Sequence, residues 1–153
     1  MIRIREILLP EHILLDMVVT SRGEAVKAVT YSLRGDGRII NWPRFEASLS
    51  ECERSGKINL ELGLTIPHNR TKSVSSMVMA FGRLAQPIQS EGSTIRFVLI
   101  IGIPETMDAD YLRLVGVLMR AFRDRELRHQ LEKDKTPAEI LEVFEQGERK
   151  LVS

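Results

Sequence analysis

The chain has 153 residues, of which 28% are charged and 5% aromatic, and its formal net charge is +1. That length suits a single domain over residues 1–153 with a sizeable core, and a near-neutral chain with few aromatic rings has no footprint for nucleic acid. The one cysteine, Cys52, excludes an internal disulfide, and the longest apolar run, Phe97 to Ile101, is far too short to cross a bilayer. The opening Met1-Ile2-Arg3-Ile4-Arg5-Glu6 alternates charged and apolar residues and lacks the apolar stretch of a signal peptide. A soluble, cytoplasmic domain without membrane insertion is expected.

The first segment, through Met17-Val18-Val19, is apolar-rich and contains Pro10, so extended segments with a turn are expected. Ser21 and Glu24 form a capping box, with Val26, Val29 and Leu33 following at helical spacing until Gly35-Asp36-Gly37. Asn41 caps a second helix that tolerates Pro43 in its first turn and buries Trp42, Phe45, Leu49 and Cys52; Ser55-Gly56-Lys57 ends it. A strand over Leu60–Ile66 stops at Pro67, and a polar loop beginning at His68 follows. Met77 to Phe81 is uniformly apolar and reads as a strand buried on both faces. Gln86 to Ser93 reads as a polar connection, and Thr94 to Gly102 as the clearest strand, rich in β-branched residues. Helices follow from Asp108 (burying Tyr111, Leu114, Val115, Leu118 and Phe122), from Asp124 (Leu127, Leu131) and from Thr136-Pro137-Ala138-Glu139 (Ile140, Leu141, Phe144). Helices at both ends around a strand-rich middle predict an α/β (α+β) domain, a mixed sheet flanked by helices on both faces.

The chemistry narrows by elimination. The three histidines match no zinc spacing, and a lone cysteine offers no thiolate cluster, so no metal and no cofactor are expected. No glycine-flanked nucleophile elbow and no glycine-rich phosphate loop occurs. His12 lies among apolar residues and reads as structural or as a surface residue, while His129 falls in the charged stretch Arg123 to Lys135 and reads as a solvated face. His68, at a strand end, is followed by Asn69, Arg70, Thr71, Lys72 and Ser73. From the residues alone it reads either as a surface histidine in a polar loop or as a chemical group. An imidazole with a reference pKa of about 6.5 keeps a nucleophilic nitrogen near neutrality and can take and pass on a phosphoryl group. Arg54, Asn69, Arg70 and Lys72 are the candidate stabilisers of phosphoryl oxygens.

The stretch Gly63-Leu64-Thr65-Ile66-Pro67-His68 resembles the phosphorylation motif of the type-2 enzyme IIA domains of the bacterial phosphotransferase system, the mannitol/fructose and nitrogen-regulatory group. Glu53-Arg54, Ala80 to Ile88, Arg96 to Leu114, Asp124 to Leu127 and Thr136 to Ile140 extend the similarity over nearly the whole chain. The resemblance implies that His68 is the phosphorylated nucleophile and that Arg54 stabilises the phosphoryl group. It implies a histidine-containing phosphocarrier protein as donor, and an enzyme IIB domain or regulated proteins as acceptor or target. Three departures stand out: Asn59-Leu60-Glu61-Leu62 replaces glycines, Asn69 replaces a small residue, and Tyr111 occupies the place of a second site histidine. With no enzyme IIB or IIC segment in the sequence, the expectation is a nitrogen-regulatory type acting through protein partners. The alternatives are a sugar-specific enzyme IIA serving a separate enzyme IIB, or an interaction module that kept the fold and lost efficient transfer.

Overall fold

The computed structural model describes residues 3–54, 59, 60 and 62–152. The opening is a single helical turn, α1 (Ile4–Ile7), then one ten-residue strand, β1 (Leu8–Met17), where extended segments broken by a turn are expected. Pro10 is accommodated because β1 is the outermost strand, where a missing N–H is tolerated. Two helices follow, α2 (Arg22–Tyr31) and α3 (Trp42–Arg54). Ser21 Oγ accepts the Glu24 N–H, and Asn41 Oδ1 accepts the Arg44 N–H, as the capping signals predict. The stop expected at Ser55-Gly56-Lys57 lies outside the described residues.

The strand expected over Leu60–Ile66 is instead two short strands, β2 (Asn59–Leu60) and β3 (Leu64–Thr65), paired antiparallel. Gly63 sits between them at φ +76°, a left-handed conformation that turns the chain back. Beyond Pro67 lies β4 (His68–Arg70), so His68 opens a strand rather than a loop. The run from Met77 becomes β5 (Val78–Ser90), and Thr94–Gly102 becomes β6 (Ser93–Ile103). The connection expected over Gln86 to Ser93 is strand for most of its length, with β5 and β6 joined tightly at Glu91-Gly92. Polar composition there marks the solvent-exposed end of a long hairpin, and not a loop. The chain closes with α4 (Asp108–Arg123), α5 (Arg125–Lys133) and α6 (Pro137–Val152).

The sheet runs β1-β5-β6-β3-β2, with β4 also against β6. β1 is parallel to β5, and β3 and β4 are parallel to β6, while β5–β6 and β2–β3 are antiparallel. It is the mixed sheet expected, and both its faces are covered. Met79, Phe81, Phe97, Leu99 and Ile101 face a core built with α1, α4, α5 and α6. Val78, Ala80, Val98 and Ile100 face a second core built with α2 and α3. Alternate residues of β5 and β6 thus feed opposite cores, which is why these strands carry no polar period. In α4 the buried set is Leu114, Val117, Leu118, Ala121 and Phe122, so Val117 takes the place expected for Val115.

Candidate functional site

Strands β3 and β4 occupy the same edge of β6 in one continuous register: Leu64 against Phe97, Thr65 against Val98, then His68 against Ile101 and Arg70 against Ile103. Ile66-Pro67 interrupts them, because proline has no N–H to give the ladder, although the Pro67 carbonyl still accepts from Ile101 N at 3.1 Å. The interruption ends where His68 begins. Paired residues of parallel strands share a face, so His68 and Arg70 project with Ile101 and Ile103 toward α4, and Asn69 projects with Gly102 toward α3. Gly102 lets α3 approach closely: a Cβ there would lie 2.6 Å from Phe45 Cε1 and 2.9 Å from Val78 Cγ2.

The His68 ring is half-buried, and its Nδ1 lies 2.8 Å from the Ile66 carbonyl oxygen. A carbonyl only accepts, so Nδ1 carries the proton and Nε2 holds the lone pair of the neutral ring. Tyr111, in the first turns of α4, stacks on the imidazole with ring centroids 5.7 Å apart and planes at 22°. Burial pushes the Tyr111 phenol above its usual range, with the neighbouring Cys52 adding to the effect, so the hydroxyl is a neutral donor. One turn earlier, Asp108 Oδ1 lies 3.0 Å from Arg70 Nε, and Arg70 Nη2 donates to the Glu105 carbonyl at 3.3 Å. Strand and helix therefore meet in two matched layers: His68 on Tyr111, and Arg70 on Asp108.

The structure brings together His68, Tyr111 and Arg70 and sets Asn69 beside them on the opposite face of β4. Lys72 is exposed two residues beyond Arg70. Arg54 is the last residue of α3, and its side chain lies outside the described residues. Asp108 and Glu105 are the participants that the sequence reading misses; the only signal is an acidic residue three positions before Tyr111 on the same helical face. Thr71 and Ser73 are buried and spend their hydroxyls on each other at 2.7 Å. His12 is 5% exposed and bonded through both ring nitrogens, while His129 is exposed on α5. Among the described residues no cluster of His, Cys, Asp or Glu suits a metal, and no helix is long and apolar enough to cross a membrane.

A family model described as "Phosphoenolpyruvate-dependent sugar phosphotransferase system, EIIA 2" matches residues 6–147. The chain is 27% identical to a "Nitrogen regulatory protein" of Bradyrhizobium diazoefficiens, covering 92% of this chain and 94% of that protein. It is 29% identical over 131 residues to the "PTS system 2-O-alpha-mannosyl-D-glycerate-specific EIIABC component" of Escherichia coli, covering 82% of this chain but only 20% of that larger protein. Among solved structures, the nitrogen regulatory protein IIA-Ntr of Neisseria meningitidis superposes with a TM-score of 0.81 at 25% identity, covering 92% of this chain and 98% of that one.

Proposed function

The chain belongs to the EIIA type-2 family of the phosphoenolpyruvate-dependent sugar phosphotransferase system, the phosphohistidine carriers of that system, and we propose that His68 carries the phosphoryl group on Nε2. The observation that supports this is the Nδ1–H bond to the Ile66 carbonyl, which leaves Nε2 as the one nucleophilic ring nitrogen. The Nε2 lone pair attacks phosphorus on the phosphohistidine of a histidine-containing phosphocarrier protein. The new N–P bond forms as the donor's N–P bond breaks, and the donor imidazole leaves with its electron pair. The His68 ring then carries both the phosphoryl group and the Nδ1 proton, and the Ile66 carbonyl steadies the positive charge that results. Positioning and charge stabilisation do most of the work in such a transfer. Tyr111 fixes the ring plane, and Arg54, Arg70 and Lys72 are the stabilising groups proposed for the phosphoryl oxygens; Asn69, expected among them, projects to the other face of β4. Of these, Arg70 must exchange part of its contact with Asp108 for the new anion.

We read the protein as nitrogen-regulatory in type, its phosphorylation state setting which protein partners it binds. The nitrogen regulatory relatives match over 92% of this chain, in sequence and in structure. Leu112, 70% exposed beside Tyr111, supplies an apolar contact for such a docking face. One observation favours a sugar-specific reading with a separate enzyme IIB as acceptor: the similarity to the EIIA part of a mannosyl-glycerate EIIABC component. Incubation with phosphoenolpyruvate and a purified donor relay tests the carrier role. An acid-labile phosphate absent from His68→Ala is expected, and no incorporation would leave an interaction module. Passage of that phosphate to a purified enzyme IIB would select the sugar-specific reading over the regulatory one.

A further inference from the structure

On the face of the sheet away from Tyr111, helices α2 and α3 diverge around a cleft of ≈ 430 Å³. Its volume falls in the range of small-molecule sites. Val26 and Leu49 form an apolar floor, and four polar side chains line it: Lys27 and Thr30 from α2, Glu46 and Ser50 from α3. Thr30 is 5% exposed, yet its Oγ1 is buried without a hydrogen-bond partner among the described residues. A helical threonine ordinarily bonds its hydroxyl to the preceding turn or to solvent, and leaving it unmet has a free-energy cost. Neither the Lys27 nor the Glu46 side chain forms an ion pair or hydrogen bond among the described residues. A cation on one wall, a carboxylate on the other, an unmet hydroxyl and an apolar floor form a set that one kind of molecule satisfies. A plain anion meets repulsion at Glu46, and a plain cation meets it at Lys27.

We propose that the α2–α3 cleft binds a free α-amino acid with an apolar side chain, its carboxylate at Lys27, its ammonium at Glu46 and its side chain on Val26 and Leu49. Thr30 Oγ1 is sealed from solvent here, and a χ1 rotation, open to a helical threonine, turns it toward the ligand or a water carried in with it. The site has a path to His68, because α3 rests Phe45 on Gly102, whose register partner is Asn69, and brings Cys52 toward Tyr111. A ligand wedged against α3 therefore bears on the shelf that holds His68.

The proposal stands apart from phosphoryl transfer and is tested without it, by following backbone and histidine NMR signals of the unphosphorylated protein. L-leucine, L-valine and L-methionine are titrated singly, with leucinamide and 4-methylpentanoate as leucine analogues lacking the carboxylate and the ammonium. Saturable shifts centred on residues 23–30 and 43–50 are expected for the amino acids, with smaller shifts at His68 and Tyr111. Each analogue should bind roughly tenfold more weakly, the value of one charge-assisted hydrogen bond. Lys27→Gln should weaken leucine but leave leucinamide unchanged, and Glu46→Gln should weaken leucine but leave 4-methylpentanoate unchanged. Absence of saturable shifts with all three amino acids, or equal binding of leucine and both analogues, would overturn the site. Shifts confined to α2 and α3 would overturn its link to His68.

Discussion

His12 and His68 are the same side chain placed in two opposite situations. At His12 the fold consumes the ring: Nδ1 meets the Ser32 carbonyl at 2.8 Å and Nε2 meets Asp36 Oδ2 at 3.0 Å, so both nitrogens are engaged. Asp36 is itself gripped by Arg38 through Nε at 3.0 Å and Nη2 at 2.8 Å, and that guanidinium holds its carboxyl well below the usual carboxylate range. Arg38 Nη1 also donates to the carbonyls of Glu6, Ile7 and Met77, so the network ties α1 to the segment leading into β5. At His68 the fold takes one nitrogen and, among the described residues, leaves the other. The backbone takes one nitrogen in each ring, and the Asp36 carboxylate takes the second only at His12, so a histidine's chemistry follows from how many of its ring nitrogens the fold has already engaged.

Substitution at the two sites should separate transfer from stability. His68→Ala should abolish phosphorylation and leave the thermal midpoint almost unchanged, whereas His12→Ala should be phosphorylated normally when folded and melt earlier. Loss of the label in both variants at temperatures where both are folded would break the contrast. Asp36→Asn should cost about 3 kcal/mol in denaturant unfolding, because it leaves the largely buried Arg38 guanidinium without its anion. The sign of its pH dependence follows from the lowered carboxyl. Its contribution is complete above the unfolded value of about 3.9 and is lost as pH falls through the folded one. Wild-type stability should therefore drop more steeply than that of Asp36→Asn between about pH 4 and pH 2.

Gly102→Ala sharpens the comparison from the other face of β4. The added methyl drives into Phe45 and Val78, and overpacking of this kind costs about 2 kcal/mol. Because the displacement falls next to the register of Asn69, phosphorylation should also slow, which an unfolding curve and a transfer assay on one preparation will show. A smaller effect is expected at Tyr111. Its phenol can donate a hydrogen bond but cannot become positive, so Tyr111→His should accept phosphate severalfold faster or hold it longer, with little change in stability. Equal rates of gain and loss in the two proteins would reduce Tyr111 to packing. The smallest effect belongs to Lys72→Glu, which should slow donor association at low salt and converge on wild type as salt rises.

Much of the fold is legible in the sequence because its signals are local. Ser21, Asn41, Asp124 and Thr136 each accept a backbone N–H at the helix start their neighbours mark. What stays hidden depends on distant partners. Gln86 to Ser90 looks like a connection because its own residues are polar, and only pairing with Ser93 to Ile95 makes it strand. The break around His68 is half-visible: Pro67 announces an interruption, but nothing local says that β6 continues past it and takes up His68, Asn69 and Arg70. The stack of Tyr111 on His68 depends on where α4 docks, and Asp108 comes to Arg70 for the same reason. Periodicity alone leaves Tyr111 equally at home in the core edge.

The most direct test of the central claim is atom-specific. Protein labelled with ¹⁵N in its histidine rings is phosphorylated by the donor relay, and the ring nitrogens of all three histidines are followed by long-range proton–nitrogen correlation. The geometry predicts phosphorus on His68 Nε2, with Nδ1 keeping its proton and its bond to Ile66, and His12 and His129 unchanged. Phosphorus on His68 Nδ1, or on either of the other histidines, would contradict it.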